Sequence, residues 1–293
     1  MVNAPDRRLR LMAVHAHPDD EASKGAATMA KYVHEGATVM VVTMTGGERG
    51  SVLNPKLLDD PAYQGDLTDV RRAEMAASAA ALGVEHRWMG YVDSGLPEGD
   101  PLPPLPKGSF ATLDPAEAAE PLAALIREFK PDVLTTYDPS SDGYAHPDHI
   151  QTHIVSVQAV AQAGDPDYAP HGVRPWAVSK VYYDRGFSLA RSRALDQAMK
   201  ARGLESPFGE WLERHAHRPE RVQPVTTRIE VAEYFPQRDA ALRAHASQID
   251  PDGWFFAVPR DIEAQVWPWE EFELAHSRVE VDIPETDLFT GLR

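Results

Sequence analysis

Residues 9–21 read LRLMAVHAHPDDE, an apolar run that stops abruptly in two histidines, a proline and three acids. Residues 9–14 have the unbroken apolar character of a strand buried on both faces, and the polar cluster that follows must leave the core. A second such run, ATVMVVT, occupies 37–43. Between the two, 23–35 has helical composition and ends at Gly36, a residue suited to the position just past a helix. The alternation continues with a helix over 68–82 closed by Gly83 and a short strand over 85–89. At the next helix Asp114 caps, Pro115 takes the first helical position and Glu117 completes a capping-box pattern. That helix runs to about Lys130 and leads into a fourth strand over 133–137. Strands alternating with helices predict right-handed βαβ units, and so an α/β, Rossmann-like three-layer fold with a mostly parallel sheet. Ligands in such sheets bind outside the carboxyl ends of the strands.

The segment 96–110, LPEGDPLPPLPKGSF, is a loop, because its prolines forbid helix and central strand alike. Beyond residue 175 the pattern is less regular. Strands are expected over 178–183 and 226–231, helices over 188–202 and 237–248, and a Trp- and Phe-rich packing tail from Trp254. The expected organisation is a Rossmann-like metal-binding catalytic part over 1–175, with an α/β extension over 176–293 completing the same domain.

Composition narrows the functions. The 293 residues carry 29 Lys plus Arg against 45 Asp plus Glu, a formal net charge of −16, which repels phosphate backbones and anionic lipid. Nucleic acid and membrane partners are therefore not expected. With no cysteine in the chain, disulfides, thiolate metal sites and cysteine nucleophiles are excluded, so a metal must be held by His, Asp, Glu or Tyr. No apolar run approaches the roughly 20 residues that span a bilayer, and the apolar start is too short for a signal peptide. A cytoplasmic protein is expected; its oligomeric state, monomer or small homo-oligomer, is not written in the sequence.

Two segments carry the chemistry: HAHPDDE at 15–21, after the first strand, and YAHPDH at 144–149, after the fourth. Each holds His-Pro-Asp at a strand's carboxyl end. Proline fixes one torsion and pushes the preceding residue into extended conformation, so His17 and Asp20 can converge on one point. Three adjacent carboxylates repel each other and call for a cation. With His149 from the second loop, the predicted ligand set is two imidazoles and one carboxylate, leaving a position for water as catalytic sites do. His153, one helical turn beyond His149, is a competing ligand. The bland alternative is a run of acids that merely starts a helix.

The paired motifs, with TGGERGSVLNP, YVDSGLP, YAHPDHIQTH and LRAHASQIDP in order, resemble the LmbE-like and PIG-L de-N-acetylases. The resemblance implies a metal-dependent amide hydrolase using Zn2+, with Fe2+ possible in its place, held by His17, Asp20 and His149. It implies Asp19 as general base, His146 as the protonated group beside the oxyanion or leaving amine, Asp148 as the carboxylate holding His146 charged, and Tyr144 as a hydroxyl donor. It points to Lys24, Glu48, Arg71 and Asp93 for substrate contacts, Arg71 pairing with a hydroxyl or with Glu48. Within the family the likeness is strongest to the branch that cleaves a pseudo-disaccharide thiol conjugate, a small molecule, at the amide between acetylcysteine and glucosaminyl-inositol. The alternative branch deacetylates N-acetylglucosaminyl-inositol. A lysine at position 24 would suit the bulkier acyl group. The HASQ segment at 245–248 is expected to be structural helix.

Two other classes remain to be weighed. A non-haem Fe(II) oxygenase would use the same donor types but normally mounts them on a β-barrel. A sugar-binding module would have no use for a second carboxylate, Asp19, beside the metal.

Overall fold

The computed structural model describes residues 8–140, 146–168, 173–186, 188–215 and 224–293. Five parallel strands form the body of one sheet: β1 (Arg10–His15), β2 (Thr38–Thr45), β3 (Glu85–Tyr91), β4 (Val133–Thr136) and β5 (Lys180–Arg185). Two more, β6 (Thr227–Glu230) and β7 (Trp269–Ser277), extend it to the order β3-β2-β1-β4-β5-β7-β6. β7 runs antiparallel to both neighbours. The fold is thus mixed α/β with a seven-stranded, mostly parallel sheet.

The central place of β1 explains its composition. It pairs with β2 on one side and β4 on the other, and residues 11–15 are buried. Alternate residues serve opposite faces, as a period of two requires. Leu11, Ala13, Val39 and Val41 pack with Met29, Tyr32, Met75 and Leu242, while Met12, Val14, Met40 and Val42 pack with Leu122, Ile126, Val155 and Ala159. These partners come from α2 (Ala26–His34), α3 (Thr68–Leu82) and α8 (Phe235–Ala244) on one face, and from α4 (Pro115–Phe129) and α5 (Pro147–Gly164) on the other. Chain order runs outward from β1 through β2 to β3 on one side and resumes through β4 on the other. The crevice between β1 and β4 is therefore the switch point at which such sheets bind ligands.

Several elements stand where sequence places them. The helix over 68–82 ends on Gly83 at φ 74, and Asp114 accepts from the N–H groups of Ala116 and Glu117. Others do not. The helix expected over 23–35 is two: α1 (Asp20–Ser23) and α2, separated by extended Lys24 and by Gly25 at φ 72. The helix expected over 237–248 ends at Ala244, and the HASQ segment is a turn beyond it rather than helix. Strand β7 was not anticipated; its glutamates Glu271 and Glu273 are paired with Arg228 and Arg185, so charge did not keep it from the sheet. A third apolar cluster (Leu195, Met199, Phe208, Val258, Ile262, Trp267) joins α6 (Leu189–Ala201) to α9 (Arg260–Val266). Among the described residues no helix is long and apolar enough to cross a membrane.

A candidate metal centre between β1 and β4

The two His-Pro-Asp segments meet. His17 and Asp20 leave the end of β1, His149 lies in the first turn of α5, and their ligand atoms all fall within 4.8 Å of one another. Asp20 Oδ2 is 3.4 Å from His17 Nδ1 and 3.4 Å from His149 Nε2. All three residues are buried. The far nitrogen of His17, Nε2, faces Asp148 Oδ2 at 3.3 Å and Asp93 Oδ1 at 3.6 Å. A carboxylate behind an imidazole fixes its tautomer and leaves the other nitrogen as ligand, the arrangement usual behind metal-binding histidines. The donor set thus fits a divalent metal such as zinc, with Nδ1 of His17, Nε2 of His149 and Oδ2 of Asp20 as the facing atoms.

Electrostatics agree with that fit. Burial alone pushes the His17 imidazole down, but Asp148, Asp20 and Asp93 outweigh it and hold its pKa well above the ordinary value. Burial would raise the Asp20 carboxyl, yet Lys24 and His149 keep it well below the usual range. So much carboxylate around one imidazole is a field that a cation would compensate. Lys24 supplies part of the compensation through Nζ, 2.6 Å from Asp20 Oδ1.

Asp19 stands beside the ligands and is not one of the clustered donors. Its backbone has φ 122, rare for a residue with a side chain, and its carboxylate makes no helix-capping bond. The carboxylate instead lies on the cavity wall, where Arg71 Nη2 reaches Oδ2 at 3.2 Å. Burial raises its pKa despite the Arg71 guanidinium.

The remaining expected residues divide. His146 lies against the site, its ring 4.6 Å from that of His17 and 5.2 Å from that of His149. Its Nδ1 accepts the Asp148 backbone N–H at 3.1 Å, and burial, then His17 and His149, pushes its pKa down to about 4. The bond from the Asp148 N–H occupies Nδ1 as an acceptor, so Nε2 is the nitrogen of His146 left to carry a proton toward the site. The Asp148 carboxylate bonds through Oδ2 to His17 and to the Ser94 N–H at 2.9 Å, and it also stands near enough to His146 for its charge to raise that imidazole's pKa, without outweighing burial, His17 and His149. Tyr144 lies outside the described residues. Arg71 lines the cavity but pairs with Asp19 and with the Pro18 and Gly47 carbonyls, not with Glu48. Glu48 does not line the cavity; its Oε1 accepts the Asp93 N–H at 2.8 Å and ties two loops together. Asp93 is on the wall but buried, accepting from Arg49 and Gly95 N–H groups, so its oxygens are engaged by protein. His153 is not among the clustered donors; its Nδ1 is 2.9 Å from the Tyr137 carbonyl and its ring lies against Tyr183.

Some contributors were not singled out beforehand. Tyr137 stacks on His149 at 4.4 Å and accepts the Ala16 N–H at 2.9 Å; its place at the end of β4 was the available signal. Gln248 lines the cavity, and His245 reaches Glu21 beneath the site at 2.6 Å. Only the family resemblance of the HASQ segment hinted at either. The cavity itself holds about 640 Å³, ample for a disaccharide-sized ligand, and adds Leu53, Leu96 and Phe255 to the polar residues above.

Comparison with known proteins agrees with this architecture. Residues 12–160 match the PIG-L family, described as GlcNAc-PI de-N-acetylase. The chain is similar to a mycothiol S-conjugate amidase of Streptomyces coelicolor, at 54% identity over 98% of both chains. It is similar to a 1D-myo-inositol 2-acetamido-2-deoxy-alpha-D-glucopyranoside deacetylase of a Nocardioides species, at 40% identity over 97% of this chain and 98% of the relative. Among solved structures it resembles an N,N'-diacetylchitobiose deacetylase from Pyrococcus horikoshii with a TM-score of 0.61 at 21% identity, covering 90% of this chain and 83% of that one.

Proposed function

This chain belongs to the PIG-L family of GlcNAc-PI de-N-acetylases, and we propose that in the cytoplasm it hydrolyses the amide of mycothiol S-conjugates. The products would be an N-acetylcysteine S-conjugate (a mercapturate) and glucosaminyl-inositol, a step of thiol-based detoxification. The observation that carries the reaction class is the convergence of His17, Asp20 and His149 on the wall of a cavity with Asp19 beside them. The choice of substrate is supported by the end-to-end likeness to the amidase, higher than that to the deacetylase.

His17, Asp20 and His149 would hold Zn2+, or Fe2+ in its place, which when bound polarises a carbonyl and lowers the pKa of a water to about 7. Asp19 acts as general base: its raised pKa makes it a better proton acceptor, and Arg71 keeps its carboxylate turned to the cavity. The proton it takes from the attacking water passes to the leaving amine of the sugar. His146, with Nε2–H turned from the Asp148 backbone, donates a hydrogen bond to the developing oxyanion. Tyr144, from the same segment, is proposed as a second donor. Lys24 is retained as a contact for the acyl group. Arg71, Asp93, Asp148 and Glu48 are assigned to holding Asp19, His17 and the loops in place.

The second reading is N-acetylglucosaminyl-inositol deacetylation, or de-N-acetylation of another amino sugar, by the same residues; the 40% identical relative favours it. One assay separates them. The metal-loaded protein is given both the thiol conjugate and the N-acetyl sugar, and free amine is measured. A larger kcat/KM for the acetyl sugar would overturn the amidase reading.

A further inference from the structure

Asp19 faces the cavity at φ 122, a conformation that a residue with a side chain keeps only where its surroundings impose it. The surroundings are specific. The peptide linking Pro18 to Asp19 is gripped at both poles: Arg71 Nη2 donates to the Pro18 carbonyl at 2.5 Å, and the Asp19 N–H donates to Glu21 Oε2 at 2.9 Å. Turning that peptide would break both bonds at once. Because the plane of this peptide sets φ of Asp19, the grip decides where the Asp19 carboxylate points.

Glu21 is itself fully buried and held. Its Oε1 accepts from Ser78 Oγ at 2.5 Å and from His245 Nε2 at 2.6 Å. Ser78 comes from α3, and His245 from the turn beyond α8, 224 residues along the chain. His245 is also fully buried, and its Nδ1 meets no hydrogen-bond partner among the described residues. Neither Glu21 nor His245 lines the cavity, so neither can touch a substrate lodged there.

We infer that Glu21 and His245 are positioning residues for Asp19, a two-link relay through which the C-terminal turn sets the orientation of the general base. His245 holds Glu21, Glu21 holds the Pro18–Asp19 peptide, and that peptide aims the carboxylate at the cavity. Both oxygens of Glu21 must accept, which only a carboxylate does; a glutamine would turn its NH2 toward one of the donors. The inference rests on the assignment of Asp19 as base in the proposed function.

The test uses the zinc-loaded full chain and an S-alkyl conjugate of acetylcysteinyl-glucosaminyl-inositol, with metal content and thermal unfolding measured for each variant. Asp19→Asn comes first and is expected to lower kcat by at least about 100-fold. His245→Leu and Glu21→Gln are expected to lower kcat by roughly 10–100-fold, as misaimed catalytic groups do, while KM stays within about 2-fold and metal content stays unchanged. His245→Gln, whose amide N–H can still reach Oε1, is expected to recover kcat to within about 5-fold of the unaltered chain. In the Asp19→Asn background His245→Leu should cost less than about 2-fold more, since residues acting through one group are not additive. If Asp19→Asn retains kcat, the base assignment falls and this inference with it. If Asp19→Asn loses activity while His245→Leu keeps it, loses metal, or multiplies the Asp19→Asn loss, only the relay is overturned. Should His245→Leu fail to fold, Ser78→Ala and His245→Gln decide: Ser78→Ala must lower kcat at constant KM, and His245→Gln must remain active.

Discussion

Glu263→Gln offers a measurable check on how the C-terminal part is held together. Glu263, on α9, is buried and accepts from three guanidiniums: Arg191 at 2.8 Å, Arg238 at 2.9 Å to each oxygen, and Arg260 at 2.7 Å. These come from α6, α8 and α9, so one carboxylate gathers three helices. Burial would raise its pKa, but Arg238, Arg191 and Arg260 bring it down from 4.5 to about 2. A folded pKa below the unfolded one stabilises the fold above pH 4.5, and that stabilisation is lost as pH falls through about 2. A pKa fall of that size corresponds to about 3 kcal/mol, an upper figure because the guanidiniums are partly exposed. Glu263→Gln keeps the shape and removes the charge, so its unfolding temperature at pH 7 should fall by up to about 5 °C. Urea unfolding of both proteins from pH 7 to pH 3 should show the gap narrowing below about pH 4.5. A gap under about 1 kcal/mol at pH 7, or one that stays constant into acid, would refute the reasoning.

His149→Ala removes one of three donors and should leave the protein folded but unable to retain stoichiometric zinc after dialysis; metal retained one per chain would remove His149 from the ligand set. Chelation should abolish hydrolysis and added Zn2+ or Fe2+ restore it, read as amine release before and after. Lys180 and Glu285 form a fully buried pair at 2.5 Å, so Lys180→Met alone should cost about 3–5 kcal/mol by leaving Glu285 uncompensated, while adding Glu285→Leu should recover most of it in urea unfolding. Arg71→Lys keeps the charge but not the fork that serves Pro18, Gly47 and Asp19 together, and should lower kcat by about 10-fold or more at nearly constant KM.

The parts of the site that were legible from sequence are those carried by short-range rules. His-Pro-Asp after an apolar strand says that ligands stand at a strand end, and two such segments say that they meet at a switch point. That reasoning placed His17, Asp20 and His149 together. The bonds made by Asp148, His146 and Glu48 depend on which neighbour each oxygen or nitrogen meets, and sequence adjacency does not state that. Asp148 stands two residues from His146, yet its carboxylate turns to His17, 131 residues away. The first residues of α5 fix that direction: His146 accepts the Asp148 N–H as an N-cap, and the Asp148 side chain is thrown across the crevice.

The same contrast runs through the fold. Apolar periodicity and glycine stops determined from sequence alone the alternating strands and helices up to β4, because propensity and capping are local terms. The break at Lys24–Gly25, the end of α8 before His245 and the antiparallel insertion of charged β7 were decided by tertiary structure. Each answers to partners more than 80 residues away: Asp184 and Phe272 beside Gly25, Glu21 beneath His245, and the β5 edge beside β7. A chain's own sequence states which groups it carries. Which of them end up facing one another is set by packing across the whole sheet, where burial lets a single carboxylate choose among distant donors.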